Sequence, residues 1–184
     1  SIYDMVAFLR KHRVLELSGG RVILADTPVK LMQKVHQLFS GTCKFEDGSS
    51  SVLDDSKAIF IKNKFKDHKI GIFYKFKEEL NALKQVFGDT LTTDLEEFQS
   101  HPTKSIALQI VSGREGLSLR QAKFLVYYNI DFSATSYWQS RDRMTTKERA
   151  NNEVFWVFAS QGIEDKIYRA VSAKKNYTLQ HFKS

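Results

Sequence analysis

A chain of 184 residues, 42% hydrophobic and 27% charged with no low-complexity tract, has the size of one well-packed domain and excludes a disordered or fibrous class. Its net charge of +7 favours an acidic partner such as nucleic acid, although many domains with no such partner are equally basic. The lone Cys43 excludes an internal disulfide, the histidines at 12, 36, 68, 101 and 181 never pair at ligand spacing, and no apolar run approaches a membrane span, so a cytoplasmic protein with no metal site and no membrane partner is expected.

In chain order, Ile2 to Leu9 reads as a short helix, Gly19-Gly20 as a turn and Arg21 to Ala25 as a strand. Thr27 as N-cap and Pro28 at the first helical position open a helix to about Phe39, with Met32, Val35 and Phe39 on its apolar face and Gly41 as its stop. Cys43 to Asp47 reads as a short strand, and Gly48-Ser-Ser-Ser as a turn. Helix resumes near Asp54, with Ala58, Ile61 and Phe65 on one face. From Lys69 the pattern alternates. Strands are predicted over Ile70–Tyr74, Ser105–Val111, Phe124–Tyr128 and Val154–Phe158. Helices are predicted from Phe76 to Phe87, from Asp94 to Gln99, over Ser136–Thr146 and from Ile163 to about Ala173. Alternation of this kind implies a three-layer α/β domain with a mainly parallel sheet. Residues 1–66 form a helical and hairpin segment that leads into a lobe of residues 67–184.

The stretch from Ser112 to Arg143 carries the chemistry. A glycine-bearing loop, a buried strand and a second loop precede a helix with Gln139, Arg141 and Arg143. Such a loop can offer backbone N–H groups to phosphate oxygens. Two arginines with only Asp142 beside them cannot both lie in a core, so at least one should face a partner. On the residues alone, Gly113 and Gly116 fit a tight turn just as well, Gln139 an ordinary polar helix position, and Arg143 a surface arginine paired with Asp142 or Glu148. Trp138 and Trp156 lie beside apolar neighbours and read as core. The lysines at 57, 62, 64, 66 and 69 form a basic run that more often marks a solvated face than a nucleic-acid site.

Three elements in this order and spacing resemble motifs of the second RecA-like domain of superfamily two helicases, most closely the Swi/Snf-like branch and its phage and bacterial members. Lys69-Ile-Gly-Ile-Phe-Tyr-Lys-Phe resembles motif IV, and Ser112-Gly-Arg-Glu-Gly-Leu-Ser-Leu resembles motif V. Phe124-Leu-Val-Tyr-Tyr-Asn-Ile-Asp-Phe followed by Gln139-Ser-Arg-Asp-Arg143 resembles the strand and helix of motif VI. The closing Val157-Phe-Ala-Ser-Gln-Gly-Ile-Glu-Asp-Lys-Ile-Tyr is similar to the last strand and helix of that domain. The resemblance runs from about residue 27 to 175.

It implies an ATP-dependent DNA helicase or translocase of which this is the second lobe. Arg143 would be the arginine finger, ordered by Gln139, with Glu115 and Gly116 facing the nucleotide cleft. Ser112, Gly113 and Arg114, with Tyr74 and Lys75 at the end of motif IV, would contact the DNA backbone with little base specificity. Tyr74 fits the edge of the core equally well. The sequence departs from the family where a second motif VI arginine is expected, since Thr146 stands there. None of the nine glycines opens a Gly-x-x-x-x-Gly-Lys-Ser/Thr loop, and no Asp-Glu pair is present. ATP with its magnesium would therefore be held mainly by a first lobe, the missing partner, and this chain is expected to be a fragment that is inactive alone. A Rossmann-type enzyme lacks its Gly-x-Gly-x-x-Gly turn here. The competing reading is a catalytically silent basic α/β module that binds nucleic acid or a protein.

Overall fold

The computed structural model describes residues 1–110, 119, 121–142 and 153–184. Helix α1 (Ile2–His12) is capped by Ser1, whose hydroxyl accepts from the Asp4 N–H, and its last turn carries Arg10, Lys11 and His12 against the helix dipole. Strands β1 (Val14–Leu17) and β2 (Arg21–Leu24) follow as an antiparallel hairpin, with Gly19 and Gly20 both at positive φ. The turn and β2 match the sequence reading; β1 does not appear in it. Its four residues never reach full burial, so their hydrophobic signal is weak.

Helix α2 (Pro28–Phe39) begins where Thr27 and Pro28 predict, with the Thr27 hydroxyl accepting from Lys30 N–H at 3.2 Å. It buries Leu31, Met32, Val35, His36, Leu38 and Phe39. Gly41 then turns the chain at φ +83°, and its carbonyl accepts from Leu53 and Asp54 N–H at 2.7 and 3.0 Å. This seats a second hairpin, β3 (Thr42–Lys44) with β4 (Ser50–Val52). The serine run read as a turn thus contains the start of a strand. Pairing with Cys43 and Lys44 overrides the low strand preference of Ser50 and Ser51. Helix α3 (Ser56–Lys64) buries Ala58 and Ile61, and Phe65 follows into the same core.

The central sheet is built from β5 (Ile70–Tyr74), β6 (Leu91–Thr92), β7 (Ser105–Gln109), β8 (Phe124–Tyr127) and β9 (Glu153–Trp156). Between and after them come α4 (Lys77–Phe87), α5 (Leu95–Ser100), α6 (Ala134–Asp142), α7 (Ile163–Ser172) and a short α8 (Leu179–Lys183). Among the described residues every strand pair of this sheet is parallel, in the order β6-β7-β5-β8-β9. Strand β5 lies at the centre, buried on both faces as its unbroken apolar run requires. Ile70, Ile72, Ala107 and Val126 face the layer of α3 and α4. Phe73, Ile106, Leu125 and Tyr127 face the opposite layer, which holds α2, α5 and α7. The result is a three-layer α/β domain, as predicted.

Along the chain, β7 is laid on one side of β5 and β8 on the other. Connections therefore leave the neighbouring carboxyl ends of β5 and β8 in opposite directions, the position at which open α/β sheets bind ligands.

Gly41 supplies the stability test of this architecture. A Cβ there would stand 2.2 Å from the Asp54 carbonyl oxygen in a backbone conformation that L residues avoid. Gly41→Ala should cost at least about 2 kcal/mol. At Gly71 the nearest atom to an added Cβ is the mobile Cδ2 of Leu125 at 2.9 Å, so Gly71→Ala should cost only about 1 kcal/mol. Urea unfolding midpoints of the two variants check the ranking.

Candidate functional site

The register of the three central strands sets their carboxyl ends side by side, at Tyr74, Gln109 and Tyr127. Hydrogen bonds continue past the strands: Ile110 N–H donates to Tyr74 O at 2.9 Å, Gln109 Nε2 to Lys75 O at 2.9 Å, and Tyr128 N–H to Phe73 O at 2.8 Å. Residues 75–76, 110 and 128–131 are thereby fixed together as one rim along the carboxyl edge of the sheet, with Ile110, Tyr128, Asn129 and Ile130 buried in it.

Beneath that rim lies a buried polar chain. Glu79, in the first turn of α4, is wholly buried, and its Oε1 accepts from Lys75 N–H at 2.7 Å and Phe76 N–H at 3.0 Å. Its Oε2 accepts from Asn129 Nδ2 at 2.6 Å. The Asn129 amide orientation is fixed because Oδ1 must accept from Ile130 N–H at 2.8 Å. His36 Nε2 stands 2.9 Å from the same oxygen, so this nitrogen carries the imidazole proton. Burial holds His36 neutral, its pKa pushed down to about 3, and its ring stacks on Phe132 with 4.7 Å between centroids. Burial also raises the Glu79 pKa. Above this chain the Lys75 ammonium is paired with the Asp131 carboxylate and lies over the Phe76 and Phe132 rings.

A second buried charge closes the other half of the rim. Lys57 Nζ on α3 donates to Glu164 Oε2 at 2.7 Å and to Tyr128 O at 2.7 Å. Glu164 is wholly buried in the first turn of α7, and burial raises its carboxyl to about 7.

The predicted site residues fall unevenly on this frame. Tyr74 and Lys75 lie on the rim, Tyr74 half-buried with its phenol pKa raised by burial and Lys75 held by Asp131. Gln139 is exposed on α6. Ser112, Gly113, Arg114, Glu115, Gly116 and Arg143 lie outside the described residues. Next to Gln139, Ser140 is buried against the Tyr127 hydroxyl. Arg141 points back into the fold, its guanidinium 5.4 Å from the Trp156 ring centroid and its Nη1 donating to Tyr137 OH at 3.2 Å. Arg141 is therefore an inward-facing arginine. Trp156 stacks on Tyr127, and Trp138 Nε1 donates to Val171 O at 2.9 Å, so both tryptophans serve the core as read.

Sequence reasoning passed over His36, Glu79, Asn129, Asp131 and Glu164. Glu79 was signalled by its place three residues after the helix start, where a glutamate reaches back to the N-cap N–H. Nothing local marks His36 as the partner of Asn129. The basic run also divides: Lys57 is drawn into the buried ion pair, Lys62, Lys64 and Lys66 are exposed on α3 and the turn after it, and Lys69 is half-buried with its ammonium on the Phe98 and His101 carbonyls.

Among the described residues no three His, Cys, Asp or Glu side chains gather as a metal site, and no helix is long and apolar enough to cross a membrane. No protein-family model matches the chain, and no curated protein matches it. Solved structures do. The crystal structure of the C-terminal part of the Fun30 ATPase domain matches with a TM-score of 0.51 and 21% identity, over 69% of this chain and 46% of that one. The Mss116p DEAD-box helicase domain 2 bound to an RNA duplex matches with a TM-score of 0.49 and 12% identity, over 68% of this chain and 56% of that one. The chain thus spans about half the length of the structures it matches. The first likeness fixes the fold as the RecA-like one.

His36 and Glu164 give opposed pH slopes. His36, depressed from 6.5 to about 3, contributes stability that is present above its unfolded pKa of 6.5 and lost as pH falls toward 3. Glu164, raised from 4.5 to about 7, contributes stability that is present below 4.5 and lost as pH rises toward 7. His36→Gln keeps a donor for Asn129 and should make the urea midpoint fall more steeply between pH 5 and 7 than in the parent. Glu164→Gln should shift the slope in the upward sense relative to the parent over the same range, Glu79 keeping its own downward contribution. Equal slopes in all three proteins would exclude both assignments.

Proposed function

We propose that the chain is the second lobe of an ATP-dependent nucleic-acid motor, acting on DNA. The observation that carries this reading is placement. The stretch that resembles motif IV is strand β5, the one that resembles motif V follows β7 in the chain, and the one that resembles motif VI includes β8 and reaches α6. Those three strands are adjacent in one parallel sheet, which supports the reading because such sheets bind ligands at their carboxyl edge. The likeness of fold to part of the Fun30 ATPase domain agrees with it.

In this reading Arg143 completes the nucleotide site of a first lobe and neutralises charge on the transferring phosphoryl group, with Gln139 ordering it. Glu115 and Gly116 face the cleft, and Ser112, Gly113 and Arg114 track the DNA phosphates. The residues that would hold ATP and magnesium are the first lobe's. Nucleotide binding draws the lobes together and hydrolysis releases them, which moves the track along the backbone. Tyr74 and Lys75 at the end of β5 add to this track, Lys75 through the donors that its pairing with Asp131 leaves over.

Two measurements test the reading. The 184-residue chain should bind DNA weakly and without base preference, with affinity falling as salt rises. Tight, base-specific binding would instead favour a sequence-reading module. In a polypeptide that joins this lobe to one with a phosphate-binding loop, Arg143→Ala should lower DNA-stimulated ATP hydrolysis by roughly 10³–10⁵ while leaving the circular dichroism spectrum unchanged. An Arg143→Ala protein with full turnover would remove the arginine finger from the mechanism.

A further inference from the structure

The basic run that the motor reading leaves unused forms a recess of its own at the opposite, amino-terminal edge of the sheet. It has a volume of about 380 Å³ and lies between the end of α3, the start of β5 and the start of β7. Lys62, Lys66, His68 and Lys69 line it against one carboxylate, Asp67, over a floor that includes Phe65 and Phe87. Among the described residues none of these three lysines forms a salt bridge, in contrast to Lys57, Lys75 and Lys104.

Lys62 and Lys69 donate instead to uncharged acceptors, backbone carbonyls and, for Lys69, also Gln121 Oε1 at 3.4 Å. Lys69 Nζ donates to Phe98 O and to His101 O, and lies 4.3 Å from the Phe98 ring centroid. Carbonyls and a ring face orient an ammonium without cancelling its charge, so Lys69 is a fixed positive centre. Lys62 Nζ donates to Val86 O at 2.9 Å, which leaves two of its three protons to give. Lys66 is exposed on the turn after α3, one helical turn further on. The cluster pays no carboxylate its charge, and its chemical complement is a polyanion with spaced single charges.

We propose that this recess is a second phosphodiester-binding site, through which the lobe holds nucleic-acid backbone on the edge remote from motifs IV, V and VI. Lys62 and Lys66 donate to phosphate oxygens, and Lys69 supplies the field. Strand β5 separates the two edges by about 13 Å, more than a Debye length at physiological salt, so the sites act independently and their phosphate contacts add. The inference goes beyond the motor reading and does not rest on it.

Binding of a short fluorescein-labelled DNA duplex to the 184-residue chain, followed by anisotropy across a salt titration, tests the site. Lys62→Gln/Lys66→Gln should lower the slope of log affinity against log salt by roughly 2, and Lys66→Gln alone by about 1, at about 0.9 per phosphate. Lys66→Gln removes no internal bond of the described structure, so it keeps the test valid if the double variant is destabilised. Arg114→Gln separates this site from the motif V track. A slope lost with the lysines but not with Arg114 supports the recess and removes the track. A slope lost with Arg114 but not with the lysines overturns the recess and leaves the motor reading standing. Failure of the parent chain to bind any DNA overturns both. Inorganic pyrophosphate should displace the duplex only as far as its ionic strength predicts; stronger displacement would make a small anion the ligand and overturn the proposal.

Discussion

The buried carboxylate of Glu79 is the constraint on which the functional edge depends. A wholly buried acid is costly unless every lone pair is engaged, and here three donors converge on it: two backbone N–H groups and the Asn129 amide. Those donors belong to the segment after β5 and the segment after β8. One side chain thus satisfies the start of α4 and fixes the spacing of two loops. His36 extends the chain to α2, so a residue from the N-terminal part of the molecule props the rim from below.

The two halves of the rim are treated differently. On the β8–β9 side, Lys57 reaches from the α3 layer past the end of β8 to Glu164 in the α7 layer, and the ion pair is shut away from water. On the β5–β8 side, Lys75 and Asp131 form a pair that remains partly open to solvent. A buried pair contributes little net stability, yet removal of either partner leaves an uncompensated charge, so it specifies geometry more than it strengthens the fold. The rim accordingly has a locked end and an accessible end.

Most of the architecture was legible in the sequence because each element carries a local sign. Thr27-Pro28 opens α2, Gly41 follows its end, and the unbroken apolar run at 70–74 suits a strand buried on both faces. The core face of α7, Ile163, Ile167, Ala170 and Val171, follows from helical spacing alone. What escaped depends on pairing at a distance. Strand β4 exists because Cys43 and Lys44 lie opposite it, and β6 because Ser105 and Ile106 do. The buried network was hidden for the same reason. His36 and Asn129 are ninety-three residues apart, and neither has a local motif that announces the other. Lys57 looked like one member of a solvated basic run, and only the fold separates it from its neighbours.

One feature of the sheet bears on how the molecule behaves in company. The outer strand beside β7 is β6, only two residues long, preceded by a 3₁₀ turn at Gly88–Thr90 and followed by α5. The opposite outer strand, β9, opens with an exposed glutamate and has the Lys64 ammonium 5.3 Å from the Phe155 ring. A parallel sheet with a long bare margin is a template for adding strands from other chains. Among the described residues one margin is too short to template much and the other opens with a charge, so self-association by sheet extension is discouraged at both.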